Sequence, residues 1–320
     1  MTARIIGTGS RVPENVVTNE DLSKIVETSD EWIRSRTGIR ERRISREENT
    51  VSLALGAARN ALADAGMEGQ EIQLIVVATS SPDYFFPSTA CQVQESIGAA
   101  GAVGFDLSAA CSGFLFALNT AQAYLRSGIY ENALVIGADT LSRMLNWEDR
   151  NTCVLFGDGA GAVILKREEK GFVDMVQYSD GSGAGVLTCG ARQVKNMLVP
   201  GEQRTEYLEM DGQPVFKFAV KKVPQCIGEL LEKTGTSKEE IKYYVLHQAN
   251  SRIIGSVAKR LGEPEAKFPM NLERYGNTSA GSIPILLDEM NKKHMLHRGD
   301  KLVFSGFGAG LTWGAALVEW

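Results

Sequence analysis

"LIVVATSS", residues 74–81, is an apolar run that stops abruptly in small hydroxyl residues, and "YYVLHQAN", residues 243–250, is an apolar run that stops in polar ones. A continuous apolar run of this length reads as a strand covered on both faces. The parallel extends outward. "ALVIGADT" (133–140) aligns with "LVFSGFGAG" (302–310), and "GDGAGAVIL" (157–165) with "GLTWGAALV" (310–318). Thr79 precedes Cys111 by 32 residues and His247 precedes Asn277 by 30, which aligns a helix start at Cys111 with one at Asn277. The chain is therefore expected to be an α/β unit repeated once. Residues 1–170 form the N-terminal half and 171–320 the C-terminal half. They join where charge interrupts the apolar pattern in "LKREEKGFVD" (165–174).

Strands and helices alternate between these landmarks, as α/β layers require. "ARIIGTGSRVP" (3–13) reads as a strand. "DLSKIVETSDEWIRSRTGI" (21–39) reads as one helix, capped by Asn19 or Asp21 and closed by Gly38. "NTVSLALGAARNALADAG" (49–66) is amphipathic, with Asn49 or Thr50 at its start and Gly66 at its end. Helices are also expected over 88–98, 112–126, 223–235, 251–262 and 277–293, and a strand over 153–168.

The chain has 320 residues, 43% of them hydrophobic and 23% charged, enough for a large core. A net charge of −5 argues against a general nucleic-acid binder. No apolar stretch approaches the roughly 20 residues that span a bilayer, and "MTARIIGTGS" lacks a signal-peptide core. Five scattered cysteines fit neither a disulfide framework nor a zinc site. These features suit a reduced, cytoplasmic enzyme.

Three polar residues fall where strands end and helices begin, the place where ligands sit in α/β sheets. Cys111, in "FDLSAACSGFLFAL" (105–118), has small neighbours and a helix start behind it. Two readings are open: a small hydrophobe that packs well, or a nucleophile whose pKa the helix start lowers. Cys91 is the nearest rival, and Cys153, Cys189 and Cys226 read as structural. His247 ends an apolar strand, unlike His294 and His297 in a charged stretch; it is either a satisfied core residue or a partner for Cys111. Asn277 reads equally as a helix cap. The glycine strings "FGDGAGA" (156–162) and "GFGAGLTWG" (306–314) match no phosphate or dinucleotide fingerprint and read as places where backbone meets backbone or ligand.

Taken together, "AACSGFLFAL" (109–118), "VLHQAN" (245–250) and "YGNTSAGSIP" (275–284) resemble the β-ketoacyl-ACP synthase III family. "EWIRSRTGIRERR" (31–43) and the two glycine strings match as well, so the resemblance runs the length of the chain. It implies a thiolase-like fold of five layers, α-β-α-β-α, in a homodimer. It implies a catalytic triad of Cys111, His247 and Asn277, with an oxyanion hole from the backbone N–H groups of Cys111 and Ala309. The implied reaction condenses a short acyl-CoA, acetyl-CoA first, with malonyl-ACP through an acyl-cysteine, without metal or redox cofactor. His247 should be a neutral donor to the substrate. CoA contacts fall on Trp32, Arg36, Arg150, Gly212, Phe216 and Asn250; Gln213 stands where the family usually has Asn. Arg252, Lys259 and Arg260 form a basic helix face suited to an acidic carrier protein. The acyl pocket takes in Leu141 and, across a dimer by family analogy, Phe86.

Relatives within the fold are disfavoured one by one. A thiolase would need a second cysteine near the C-terminus, and none follows Cys226. Elongating synthases carry histidine where Asn277 stands. A hydroxymethylglutaryl-CoA synthase would need a glutamate near "ATSSPDYF" (78–85). The alternatives kept are a condensing enzyme with another primer or in a polyketide-type pathway, and a non-catalytic acyl-CoA binder.

Overall fold

The computed structural model describes residues 1–320 apart from 192 and 203. In the first half, β1 (Thr2–Arg11) leads to the short pair β2 (Val16–Thr18) and β3 (Glu41–Arg43), which flank α1 (Asn19–Leu22) and α2 (Asp30–Thr37). Then come α3 (Thr50–Ala65), β4 (Leu74–Ala78), α4 (Thr89–Ser96), β5 (Val103–Leu107), α5 (Gly113–Ser127), β6 (Asn132–Asp139) and β7 (Gly159–Glu168). The second half runs β8 (Phe172–Ser179), β9 (Leu187–Cys189), β10 (Leu208–Met210), α6 (Gly212–Thr234), β11 (Ile241–Leu246) and α7 (Ser251–Leu261). It closes with α8 (Leu272–Tyr275), α9 (Ser282–Lys292), β12 (Lys301–Gly308) and β13 (Thr312–Glu319).

Two sheets carry the fold, ordered β1-β7-β6-β4-β5 and β8-β13-β12-β11. Their pairings correspond. β1 with β7 and β8 with β13 are antiparallel, as are β7 with β6 and β13 with β12; β6 with β4 and β12 with β11 are parallel. Apolar residues on both faces of each sheet then dictate the layers. Leu53, Ala57 and Ala61 of α3, with Ala90 and Val93 of α4, pack on the outer side of the first sheet. α5 and α9 fill the space between the sheets, with Phe114, Leu118, Ile283 and Leu287 between Val76 and Phe304. α6 and α7 cover the outer side of the second sheet. The result is the five-layer α-β-α-β-α arrangement of a duplicated α/β unit.

Local signals set the helix ends. Asn49 accepts from the Ser52 N–H at 2.8 Å while Ser52 Oγ accepts from the Asn49 N–H at 2.9 Å, and Gly66 closes α3 with φ +64°. The expected single helix over 21–39 is instead two. Thr18 caps α1 and Ser29 caps α2, and the intervening hydroxyl and acidic residues offer the backbone local partners that compete with helix. The expected strand over 153–168 begins only at Gly159. The residues before it pair with another loop: the Asn277 N–H donates to the Leu155 carbonyl at 2.8 Å, and the Gly157 N–H to the Asn277 carbonyl at 3.0 Å. The helix expected over 223–235 starts earlier, at Gly212, and holds Pro224 inside.

The repeat also has a different register from the one read in sequence. Ala110 (φ +46°) and Ser279 (φ +50°) open matching 3-10 turns, after which α5 and α9 begin at Gly113 and Ser282. Cys111 therefore corresponds to Ala280, three residues beyond Asn277. These two turns meet across the molecule. A Cβ on Gly137, in β6, would lie 2.1 Å from the Ala280 carbonyl oxygen. Gly137→Ala is expected to destabilise by roughly 1–3 kcal/mol, the usual cost of overpacking, read as a lower urea midpoint with an unchanged slope.

Candidate active site

Cys111 sits in the 3-10 turn that feeds α5, 8% exposed. β12 passes close above it. A Cβ on Gly308 would lie 2.8 Å from the Cys111 backbone nitrogen, so only glycine leaves that N–H open. His247 follows the last residue of β11 and is also buried. Asn277 precedes the second 3-10 turn; its Oδ1 accepts from the Ser279 N–H at 2.9 Å. With Oδ1 engaged, the Nδ2 group is the corner of the amide that faces the Cys111 thiol and donates to it. Asn277 is thus no cap of α9, which starts five residues later. Its loop is held by the "FGDGAGA" backbone, which gives that glycine string its role.

The three residues line one cavity of about 150 Å³, with Phe216, Asn250 and Phe307. This cavity continues outward through Leu155, Met210 and Gly212 into a surface groove of about 720 Å³ that holds Trp32, Arg36, Asn151 and Gln213. On its other side it continues through Cys111, Phe156 and Leu187 into a third, half-open space of about 240 Å³, called the inner pocket below, lined by Leu141, Met144, Leu208 and Ala309. Cys111 therefore lies at the junction of a tunnel from the surface and an inner pocket. Cys189, read as structural from sequence, lines that inner pocket. Cys153 is buried in a turn, Cys226 in α6, and Cys91 is exposed on α4.

Around the mouth, two guanidinium groups lie over the Trp32 indole, Arg36 at 4.6 Å and Arg150 at 5.1 Å from the ring centroid. Asn250 caps α7, accepting from the Arg252 N–H at 2.8 Å and donating to the Arg36 carbonyl at 3.0 Å, while it also lines the tunnel. Arg252, Lys259 and Arg260 are exposed on α7, and Arg252 lies 5.5 Å from the centroid of the tunnel residue Phe216. None of the three pairs with a carboxylate among the described residues. Phe86 is 86% exposed and lies outside the inner pocket of its own chain.

Burial dominates the electrostatics. The Cys111 thiol is pushed up to about 11, because desolvation outweighs donation from Ser279, its own backbone N–H and Asn277; the nearby Asp139 adds to the rise. This corrects the expectation that the helix start lowers the thiol pKa. Burial alone pushes His247 down to about 3, so the imidazole is neutral. Its Nδ1 lies 2.6 Å from Ser282 Oγ, a partner the sequence reading missed. Asp139, also missed, is buried and accepts from Thr79 Oγ1, the Ser80 and Ser81 N–H groups, Ser81 Oγ and the Ala280 N–H at 2.7–3.3 Å. Its signal was present: a lone acid ending the apolar strand "ALVIGAD" (133–139).

Comparison with known proteins agrees along the whole chain. Residues 105–181 match the family described as 3-Oxoacyl-[acyl-carrier-protein (ACP)] synthase III, and residues 231–320 match its C-terminal counterpart. The Beta-ketoacyl-[acyl-carrier-protein] synthase III of Clostridium novyi is 54% identical over 99% of this chain and 98% of its own. That of Clostridium acetobutylicum is 53% identical over 100% and 99%. The crystal structure of 3-oxoacyl-[acyl-carrier-protein] synthase III from Aquifex aeolicus superposes with a TM-score of 0.93 at 46% identity, covering 99% of this chain and 100% of that one. The priming β-ketosynthase of the R1128 polyketide pathway gives 0.93 at 35%, covering 99% and 96%.

Two outcomes follow from the buried pair. Alkylation of Cys111 by iodoacetamide, followed on its own peptide by mass spectrometry, should rise about tenfold per pH unit from pH 7 to 10. A plateau by pH 8 would contradict the raised thiol. Below pH 6.5 the unfolded chain protonates His247 and the native chain does not. Stability is therefore lost as pH falls toward 3. Between pH 6.5 and 5 the stability of wild type relative to His247→Gln should fall by up to about 2 kcal/mol in urea titrations.

Proposed function

The chain belongs to the 3-oxoacyl-[acyl-carrier-protein] synthase III family, and from that premise we infer how its site condenses an acyl primer with a malonyl group carried by acyl carrier protein. The observation that carries the reading is the position of Cys111 between tunnel and inner pocket. An acyl-CoA, with acetyl-CoA as the first candidate primer, lays its nucleotide in the groove of Trp32, Arg36 and Arg150. Its pantetheine threads past Gly212, Phe216 and Asn250. The Cys111 sulfur attacks the thioester carbon, and the thiol proton leaves with CoA as CoASH. The acyl chain rests in the inner pocket beside Leu141, and its carbonyl oxygen points at the N–H groups of Cys111 and Ala309.

Malonyl-carrier protein then enters by the same tunnel. His247 and the Nδ2 of Asn277 donate to its thioester oxygen, where negative charge gathers as carbon dioxide leaves. The resulting carbanion attacks the acyl-cysteine, and Cys111 leaves as thiolate and regains a proton from solvent. The products are 3-oxoacyl-carrier protein, CoASH and carbon dioxide. Electrons and atoms balance without a redox group or metal. A raised thiol pKa suits a thiol that keeps its proton until a thioester is bound.

The carrier docks on α7, where Arg252, Lys259 and Arg260 supply unpaired positive charge beside the tunnel. The enzyme works as a homodimer joined in part through Tyr84, Phe85 and Phe86, three consecutive aromatic residues that are 58–86% exposed. In that assembly Phe86 reaches the acyl pocket of the other copy.

The test is intact-protein mass after incubation with a panel of acyl-CoAs. An acyl adduct on wild type and none on Cys111→Ala is expected, and the primer giving the largest adduct is the preferred one. No adduct from any acyl-CoA would leave a binder rather than an enzyme. His247→Ala and Asn277→Ala should depress decarboxylation of malonyl-carrier protein by roughly 10²-fold or more and acylation much less. Lys259→Glu with Arg260→Glu should raise KM for malonyl-carrier protein and leave acylation by acyl-CoA unchanged.

A further inference from the structure

We propose that Ser282 is a positioning residue for this reaction: its hydroxyl fixes the tautomer of His247 so that Nε2 carries the proton and faces the tunnel. The inference rests on the functional reading above and adds a residue to it.

The argument is an account of protons. Ser282 opens α9 and is 2% exposed, so its hydroxyl must find partners inside the protein. It has two. The Gln248 backbone N–H, which can only donate, points to Oγ at 3.4 Å, and His247 Nδ1 lies at 2.6 Å. No other acceptor among the described residues takes the Ser282 proton. The hydroxyl therefore accepts from Gln248 and donates to Nδ1. A neutral imidazole holds one proton, and with Nδ1 accepting, that proton is on Nε2. No protein atom among the described residues bonds Nε2, and the ring lines the tunnel with Cys111 and Asn277. The ring plane is held too, edge-on to Phe307 with centroids 5.4 Å apart.

The fold makes the arrangement economical. One loop-to-helix segment supplies Asn277, the Ser279 N–H that orients it, and the Ser282 hydroxyl that orients His247. In the first half the residue corresponding to Ser282 is Gly113, whose missing side chain lets α5 approach Ala78. The hydroxyl is therefore absent from the matching position of the other half.

The test uses full-length protein labelled with ¹⁵N-histidine, whose three histidines are separable by substitution of His294 and His297. In wild type the His247 Nδ1 should resonate as an unprotonated, pyridine-like nitrogen and Nε2 as a protonated one. Ser282→Ala should mix the tautomers. It should also lower decarboxylation of malonyl-carrier protein by about tenfold or more, with Cys111 acylation by acyl-CoA changed less than about threefold. Ser282→Thr, which keeps the hydroxyl, should restore both the wild-type spectrum and much of the rate. A protonated Nδ1 in wild type would overturn the proposal whatever the variants do, because that observation needs no active enzyme. So would a folded Ser282→Ala protein with the wild-type tautomer and rate. Wild type with the expected tautomer but no condensation would instead refute the functional reading and leave the assignment of the proton standing.

Discussion

Two helices that start face to face between two sheets need something polar to hold their starts in register, and Asp139 does so. One carboxylate oxygen gathers the Thr79 and Ser81 hydroxyls and the backbone N–H groups of Ser80 and Ser81, all at the end of β4. The other takes the Ala280 N–H from the opposite half. A buried carboxylate is costly unless fully bonded, and five donors meet that demand here. The bond to Ala280 spans the halves at the turn between Asn277 and Ser282. The glycine at 137 lets the Ala280 carbonyl come within contact of β6. The positions of the Cys111 turn, the Asn277 loop and the α9 start all depend on this junction.

The same burial governs the chemistry. Thiol and imidazole sit in a low-dielectric site, and each is driven to its neutral form, the thiol upward and the imidazole downward. No resting thiolate–imidazolium pair forms. What remains around the thiol is neutral: backbone N–H groups, the Asn277 amide and an uncharged His247 imidazole. Such groups are oriented in advance and gain most when negative charge develops on a substrate oxygen. Beyond the buried Asp139, charge near the site lies where water reaches it, on the arginines over Trp32 and along α7.

Much of this was legible in the sequence. The apolar runs ending in Thr79 and His247 are covered strands in equivalent places of two sheets, and Asn49, Gly38 and Gly66 end helices as cap chemistry predicts. The family motifs brought Cys111, His247 and Asn277 to one cavity and placed Trp32, Arg36 and Gly212 at its mouth. Three things were not legible. The interruption of α1 and α2 depends on which of several competing caps is used. The register of the repeat depends on the left-handed residues Ala110 and Ser279, whose types do not announce positive φ. The state of the thiol was misjudged because a helix start argues for a low pKa, whereas desolvation is a property of the packed whole. Ser282 escaped notice for a related reason: a serine near a helix start usually faces water.

The groove, tunnel and inner pocket lie in series, with the sulfur at the last junction. The stretch that leads to the sulfur is lined by Phe216 and Phe307. A series arrangement imposes an order on whatever reaches the sulfur from the groove: one occupant leaves before the next takes its place.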